Sequence, residues 1–303
     1  MDLSGVVAVA RPGAPVRVSS GGGCTTATRF QVASVTKNLA AVLAMLLVED
    51  GRLDLHEPIA RRLPEAPPEW AGITLHHLLS NTSGIGHWPE IAGVDPLEPS
   101  TRDARFASVL HEPRTTAPGR FHYSSPGFLV AGVVMERAAG RPYARLLAER
   151  VLEPLGLTAT VSGRRPSDVV AGHRNGVAVP SWSVASMVAA GDVCSTVADL
   201  LVYAEALDAG RLVSPESLAM MRTAHTTFDE PDLGCDGRLA VTGYGYGHFV
   251  GTFDGRPAAM HTGDNPGYRA MLGWFPGGVH VVAAANDDAL DWDEVLQEAL
   301  SGA

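Results

Sequence analysis

Lysine is almost missing from this chain. Only Lys37 occurs in 303 residues, and the other 22 of the 23 basic residues are arginine. Lys37 follows Thr36, not glycine, so there is no P-loop. A pyridoxal enzyme would have to form its Schiff base on that one residue. Cysteine is scarce too: Cys24, Cys194 and Cys235 are odd in number and lack CxxC spacing, which excludes a disulfide framework and suits a reducing compartment. No apolar run approaches the roughly 18 residues of a membrane helix, and the first ten residues carry no basic n-region. The expectation is therefore a cytoplasmic protein without a membrane partner. A formal net charge of −10 with no basic cluster argues against a nucleic-acid partner. There is no HExxH, and the 11 histidines show no ligand spacing, so neither metal nor cofactor is expected. The pair His76-His77 reads as one buried and one exposed ring. No serine has glycine at both −2 and +2, so the nucleophile elbow of α/β-hydrolases is absent.

What is present centres on Phe30-Gln-Val-Ala-Ser34-Val-Thr-Lys37 and the apolar run after it. Ser34 and Lys37 are about one helical turn apart, so both side chains lie on one helix face. There a neutral amine can take the serine proton and make Ser34 a nucleophile. An arginine cannot lose its proton inside a protein, whereas a buried lysine can. A chain that uses arginine elsewhere thus keeps lysine where a base is needed. An arginine-biased composition with one leftover lysine is the plainer alternative. Serine fills 19 of 303 positions, so the spacing alone does not decide.

The remaining texture places this segment in a fold. Val6 to Ala10 and Val16 to Ser19, separated by Arg11-Pro12-Gly13, read as a β-hairpin. A helix apolar nearly all round follows over 34–50, with Gly51 at its C-cap. From residue 53 to about 189 prolines are frequent and short helical patterns alternate with loops. The clearest helix spans 126–139, with Ser125 as N-cap and Pro126 at N1. Another spans 141–152. After residue 190, a helix starting at Thr196-Val-Ala-Asp199 and one at Ser214-Pro215-Glu216 precede candidate strands at 244–252, 257–262, 269–275 and 279–285. An amphipathic helix over 291–300 closes the chain. Strands at both ends and helices between predict an α/β (α+β) fold, one antiparallel sheet flanked by helices with an inserted mostly helical lobe. The lobes divide as 1–53 with 190–303 and 54–189.

A serine–lysine pair also needs a proton carrier and a hole for the oxyanion. Tyr123-Ser124-Ser125 offers a phenol, which a nearby ammonium would make easier to ionise. Alternatively Tyr123 packs in the core and Ser125 only caps a helix. His261-Thr262-Gly263, at the end of a candidate strand, offers small residues that let a ligand carbonyl approach a strand edge. From the residues alone, a hairpin loop with a surface histidine is the plainer alternative.

These elements, in this order, resemble the serine β-lactamase and penicillin-binding superfamily, in particular its class C, DD-peptidase and esterase branch. The likeness runs through Glu49-Asp-Gly-Arg-Leu-Asp-Leu-His-Glu-Pro58, Ile73-Thr-Leu-His-His-Leu-Leu-Ser-Asn-Thr-Ser-Gly84, Pro118-Gly-Arg-Phe-His-Tyr123-Ser-Ser-Pro-Gly-Phe and Glu153-Pro-Leu-Gly-Leu157 to His261-Thr-Gly263. The resemblance implies a β-lactamase/transpeptidase-like fold with the site between its lobes. It implies Ser34 as acylated nucleophile, Lys37 as base and Tyr123 as proton relay. The oxyanion hole would be the backbone N–H groups of Ser34 and Asp264. Ser125, His261, Thr262 and Gly263 would bind substrate. Ser125 departs from the family's usual asparagine and His261 from the lysine common in β-lactamases, and the chain stops soon after the sheet. Together with the absent secretion signal, these departures favour an intracellular esterase or amidase on a small ester or amide. The alternatives are an acyltransferase with an amine or alcohol acceptor, a β-lactamase or DD-peptidase, and a non-catalytic acyl-ligand sensor.

Overall fold

The computed structural model describes residues 3–301. Among them an antiparallel sheet of eight strands joins the two ends of the chain. Its first strands are β1 (Gly5–Ala10) and β2 (Arg17–Ser20). Three short pieces, β3 (Arg29–Gln31), β4 (Val161–Ser162) and β7 (Val193–Thr196), form a separate ribbon in the order β3-β7-β4. Between them in sequence, β5 (His173–Arg174) and β6 (Val177–Ala178) form a small hairpin. The large sheet resumes with β8 (Thr226–Gly234), β9 (Leu239–Tyr244), β10 (Phe249–Phe253), β11 (Arg256–Asn265), β12 (Tyr268–Phe275) and β13 (Val279–Ala285). Its order is β2-β1-β13-β12-β11-β10-β9-β8.

Strand alternation explains why both faces of the sheet are covered. Successive side chains of a strand point to opposite faces. On β1, Val6 and Ala8 join the core around the long helix α1 (Thr36–Glu49), while Val7 and Val9 join a second core. That second core takes in Val295, Leu296 and Ala299 of the helix at Trp292–Leu300. Strand β13 divides its residues in the same way, with Val282 and Ala284 on one face and Val281 and Ala283 on the other. Helix α1 buries residues on every side, as its near-continuous apolar sequence requires. It ends at Asp50, and Gly51 takes the left-handed conformation that follows many helix ends.

The other helices are α2 (Leu75–Leu79), α3 (Arg102–His111), α4 (Ser125–Ala139), α5 (Tyr143–Leu147), α6 (Glu153–Leu155), α7 (Val197–Asp208), α8 (Pro215–Arg222) and α9 (Trp292–Leu300). Among the described residues no helix is long and apolar enough to cross a membrane. All three cysteines are free and buried.

Several expectations need correction. The span 244–252 is not one strand: Gly245 to His248 turn the chain between β9 and β10. Gly247 has a φ of +65°, which favours glycine. Strand β8 has no counterpart among the expected strands; it is an edge strand whose register with β9 shifts between Thr227 and Asp232. His261-Thr262-Gly263 lies inside β11 instead of ending a strand. His76 and His77 are both half-buried: His76 meets the Tyr246 hydroxyl at 2.7 Å, and His77 takes part in capping α2. Residues 141–152 begin as α5 only at Tyr143 and continue as a π turn over Ala148–Leu152.

The cap of α4 also moves by one residue. Ser124 accepts the Gly127 N–H at 2.9 Å and donates to the Gly86 carbonyl at 3.0 Å, so Ser124 is the N-cap and Ser125 the first helical residue. Ser124→Ala should cost about 1–2 kcal/mol of stability, as loss of a buried cap does. Urea unfolding with an unchanged m-value checks this.

Candidate active site

The segment carrying Ser34 and Lys37 enters from β3 through a single turn of 3-10 helix, Ala33–Val35, into α1. Ala33 has a φ of +47°, a conformation that is uncommon for any residue with a Cβ. Such strain persists only where surrounding packing imposes it. Here β11 does so: a Cβ on Gly263 would stand 2.3 Å from the Val32 carbonyl oxygen and 3.1 Å from Ser34 N. Only glycine lets β11 lie this close to the turn, which brings the backbone of Gly263-Asp264 beside Ser34.

The Lys37 side chain is fully buried. Its Nζ lies 2.8 Å from Ser34 Oγ, 3.0 Å from Ser125 Oγ and 2.8 Å from the Ala190 carbonyl oxygen. Burial pushes its pKa well below the usual lysine range. The unpaired N–H groups at the start of α1 act in the same direction. A neutral amine fits these partners. Its two hydrogens serve Ala190 and Ser125, and its lone pair is left for the Ser34 hydroxyl.

Tyr123 stands over this group, with Lys37 Nζ 5.0 Å from its ring centroid. Burial pushes the phenol above its ordinary pKa, and a hydrogen bond with Ser34 only partly offsets this. The expectation of a phenol made easier to ionise is thus reversed: with Lys37 uncharged, desolvation wins. A neutral phenol beside a neutral amine is a proton donor in waiting.

A cavity of about 320 Å³ opens in front of Ser34. Tyr123, Ser125, Thr262 and Asp264 line it. Asp264 is exposed and pairs with Arg269 at 2.9 Å. Gly263 is buried against the turn, as described. His261 is buried and does not line the cavity. Its Nδ1 lies 2.6 Å from the Thr262 carbonyl oxygen and its Nε2 2.9 Å from the Tyr244 hydroxyl. A carbonyl only accepts, so Nδ1 carries the proton and Nε2 accepts from Tyr244. Burial and the proximity of Lys37 hold His261 down at about 3, so it is neutral.

Three cavity residues escaped the sequence reading: His87, Trp182 and Phe249. His87 Nδ1 accepts the Ser125 N–H at 3.3 Å, and its ring meets Tyr123 edge-on at 5.5 Å. Burial, reinforced by Lys37, lowers it to about 4. It belongs to no spacing pattern and lies 36 positions before Tyr123, so nothing in the sequence marks it. Gln31 was missed as well. Its Oε1 accepts from Asn265 and Ser181, each at 2.9 Å, tying β3, the end of β11 and the stretch after β6 together.

Asp192 supports the same corner from behind. It is fully buried two residues after Ala190 and accepts the Ala189 N–H at 3.0 Å and the Ser162 hydroxyl. Burial raises its pKa from 3.8 to about 7. The sign follows from linkage. Between pH 4 and 7 the unfolded carboxyl has lost its proton and the folded one has kept it, so stability falls as pH rises through that window. Asp192→Asn cannot ionise and should remove that fall, on the order of a few kcal/mol. Urea unfolding of both proteins across the window measures it.

A model of the family described as Beta-lactamase matches residues 1–299. Esterase EstB of Burkholderia gladioli is 37% identical over 147 residues, which cover 43% of this chain and 37% of EstB. Penicillin-binding protein 4 of Amycolatopsis lactamdurans is 30% identical over 290 residues, 86% of this chain and 72% of that protein. This chain thus spans well under half of one relative's length and under three quarters of the other's. Among solved structures, D-amino acid amidase from Ochrobactrum anthropi superposes with a TM-score of 0.82 at 24% identity, covering 99% of this chain and 96% of that one. That last likeness is one of fold.

Proposed function

The chain belongs to the β-lactamase family, and on that footing we propose that it is a serine acyl-enzyme hydrolase acting on a small ester or amide, with esters the better substrates. The single observation that carries the reading is the position of Lys37 Nζ, buried, 2.8 Å from Ser34 Oγ. Lys37 takes the Ser34 proton as Ser34 Oγ attacks the substrate carbonyl. The backbone N–H groups of Ser34 and Asp264 receive the developing oxyanion. Tyr123 gives a proton to the departing oxygen or nitrogen, is recharged through Lys37, and water then releases the acyl group. Thr262 and Ser125 contact the substrate from two walls, while His261 holds Tyr244 and leaves the substrate to others.

Two relatives bracket the substrate class: one is named an esterase, the other a penicillin-binding protein. Ser125 favours the ester side. Its hydroxyl is engaged by Lys37 and reaches less far than an amide, so a substrate amide gains little from it. A panel of short-chain esters, a chromogenic cephalosporin and a D-Ala-D-Ala peptide tests the reading, with the acyl-enzyme at Ser34 followed by mass spectrometry. Ester turnover should exceed the other two. Comparable turnover of cephalosporin and simple ester overturns the preference, and absence of any acyl adduct on Ser34 overturns the mechanism.

In the same panel Ser125→Asn should raise cephalosporin acylation relative to ester cleavage by about tenfold, the worth of one added hydrogen bond. An unchanged ratio would mean that residue 125 does not touch the substrate.

A further inference from the structure

Beside the catalytic cavity lies a larger one of about 590 Å³, and Phe249 is a wall of both. Its other aromatic walls are Phe121 and Phe228, whose ring centroids are 4.7 Å apart. Phe228 in turn stands 6.4 Å from Phe249. Phe249 lies nearly parallel to the Tyr123 ring, at 6.2 Å and 8°. A continuous aromatic surface therefore runs from Tyr123 past Phe249 to Phe228 and Phe121. All three phenylalanines are only half-buried. Arg120, Asp229 and Glu230 are exposed and put charges of both signs at the mouth, so the net field there selects little.

The direction of this surface is set by chemistry. In an acyl-enzyme mechanism the group that receives a proton from Tyr123 is the leaving group, so it must lie on the Tyr123 side of the carbonyl. The second cavity is what lies beyond Tyr123 along Phe249. The segment before Tyr123 lines it with Phe121, and the edge strand β8 closes it with Thr226, Thr227 and Phe228. Its volume suits a ring-bearing group. Flat aromatic walls favour an aromatic ring through edge-on or offset contacts.

We propose that this cavity is the leaving-group subsite, and that it takes the aromatic ring of an arylalkyl alcohol or amine. The assignment rests on the acyl-enzyme reading above. In the step concerned the Ser34 Oγ–acyl bond forms and the bond from acyl carbon to the substrate oxygen or nitrogen breaks. The Ser34 proton goes to Lys37, and a proton reaches the departing atom from Tyr123. Run backwards, the same subsite places an arylalkyl alcohol to capture the acyl group.

The test compares methyl and 2-phenylethyl acetate, which share one acyl-enzyme and hence one deacylation rate. After correction for their rates with hydroxide, kcat/KM should favour the phenylethyl ester by about 10–200-fold, the range of one apolar group filling a pocket. Phe228→Ala empties a wall and Thr226→Trp, on the same face of β8 and in register with Tyr244 and Phe249, fills the space, and each should collapse that ratio to within about threefold of one. The two changes sit on an edge strand and act in opposite senses on cavity volume, so a folding defect in one leaves the other to decide. Added 2-phenylethanol should also divert more acyl group from water than ethanol does at equal concentration. A wild-type ratio near one, or a ratio that survives both substitutions, overturns the subsite while Ser34 is still acylated. Failure of the underlying reading looks different: neither ester leaves an acyl group on Ser34, and the subsite falls with it.

Discussion

Lys37→Arg should fold and carry a fixed positive charge, yet acylate Ser34 on the order of 10²–10⁴-fold more slowly. A structural role in capping or charge pairing would largely survive the change. A base role would not, because arginine stays protonated under the burial that strips lysine of its proton. The packing sharpens the contrast. Nζ sits in a closed pocket with the Ala190 carbonyl and the Ser34 and Ser125 hydroxyls around it, and no carboxylate is among its hydrogen-bonding partners. A guanidinium placed there is an unpaired buried charge, so some loss of stability should accompany the loss of rate. Because Lys37 is the sole lysine, amine-directed reagents can modify only it and the N-terminus, and a slow acyl analogue should protect it. Acylation of Lys37→Arg at the wild-type rate, measured by burst amplitude and mass, would leave the family fold without its chemistry.

Tyr123→Phe should also fold, since the ring contacts with Phe249, Tyr244 and His87 survive. Its rate should fall by about 10²–10⁴-fold, the usual worth of one general acid contact. The loss should depend on the leaving group. An ester whose departing alcohol is acidic needs little help from a proton donor, whereas an alkyl ester or amide needs much. A plot of log rate against leaving-group acidity should therefore be steeper for the Phe variant. Parallel lines, or a wild-type rate, would return Tyr123 to a packing role.

The parts of this architecture that were legible are those in which one residue type has one physical meaning. The alternating and continuous apolar runs at both chain ends gave β1 and β11 to β13, and the uninterrupted apolar stretch after Lys37 gave α1. The site elements could be named because serine, lysine and tyrosine recur in a fixed order. Strand β8 stayed hidden because its sequence, with Asp, Glu and Pro at an exposed edge, is what edge strands carry to resist pairing. The cap of α4 falls at Ser124 and not at the expected Ser125 because both serines suit it. The choice frees the Ser125 hydroxyl for Lys37. The ionisation of Tyr123 was misjudged because spacing does not report how dry a site is. His87 and Trp182 arrive from loops, and only the folded chain says that those loops face Ser34.

The pairing of β1 with β13 has a consequence for synthesis. Gly5 pairs with Ala285 and Ala10 with His280, so β1 waits for a strand made some 270 residues later. At ribosomal speeds of about 5–20 residues per second, that wait is roughly 15–50 seconds. Until β13 emerges, Val6 to Ala10 can add only β2 beside it, and its other edge is open to pairing with any exposed strand. The turn at Ala33–Val35 depends on β11, so on the proposed mechanism Ser34 should stay unreactive in nascent chains that lack the last strands. The sheet thus closes only once β13 has emerged, and factors that shield apolar strands during translation should set the protein's yield more than those that act after release.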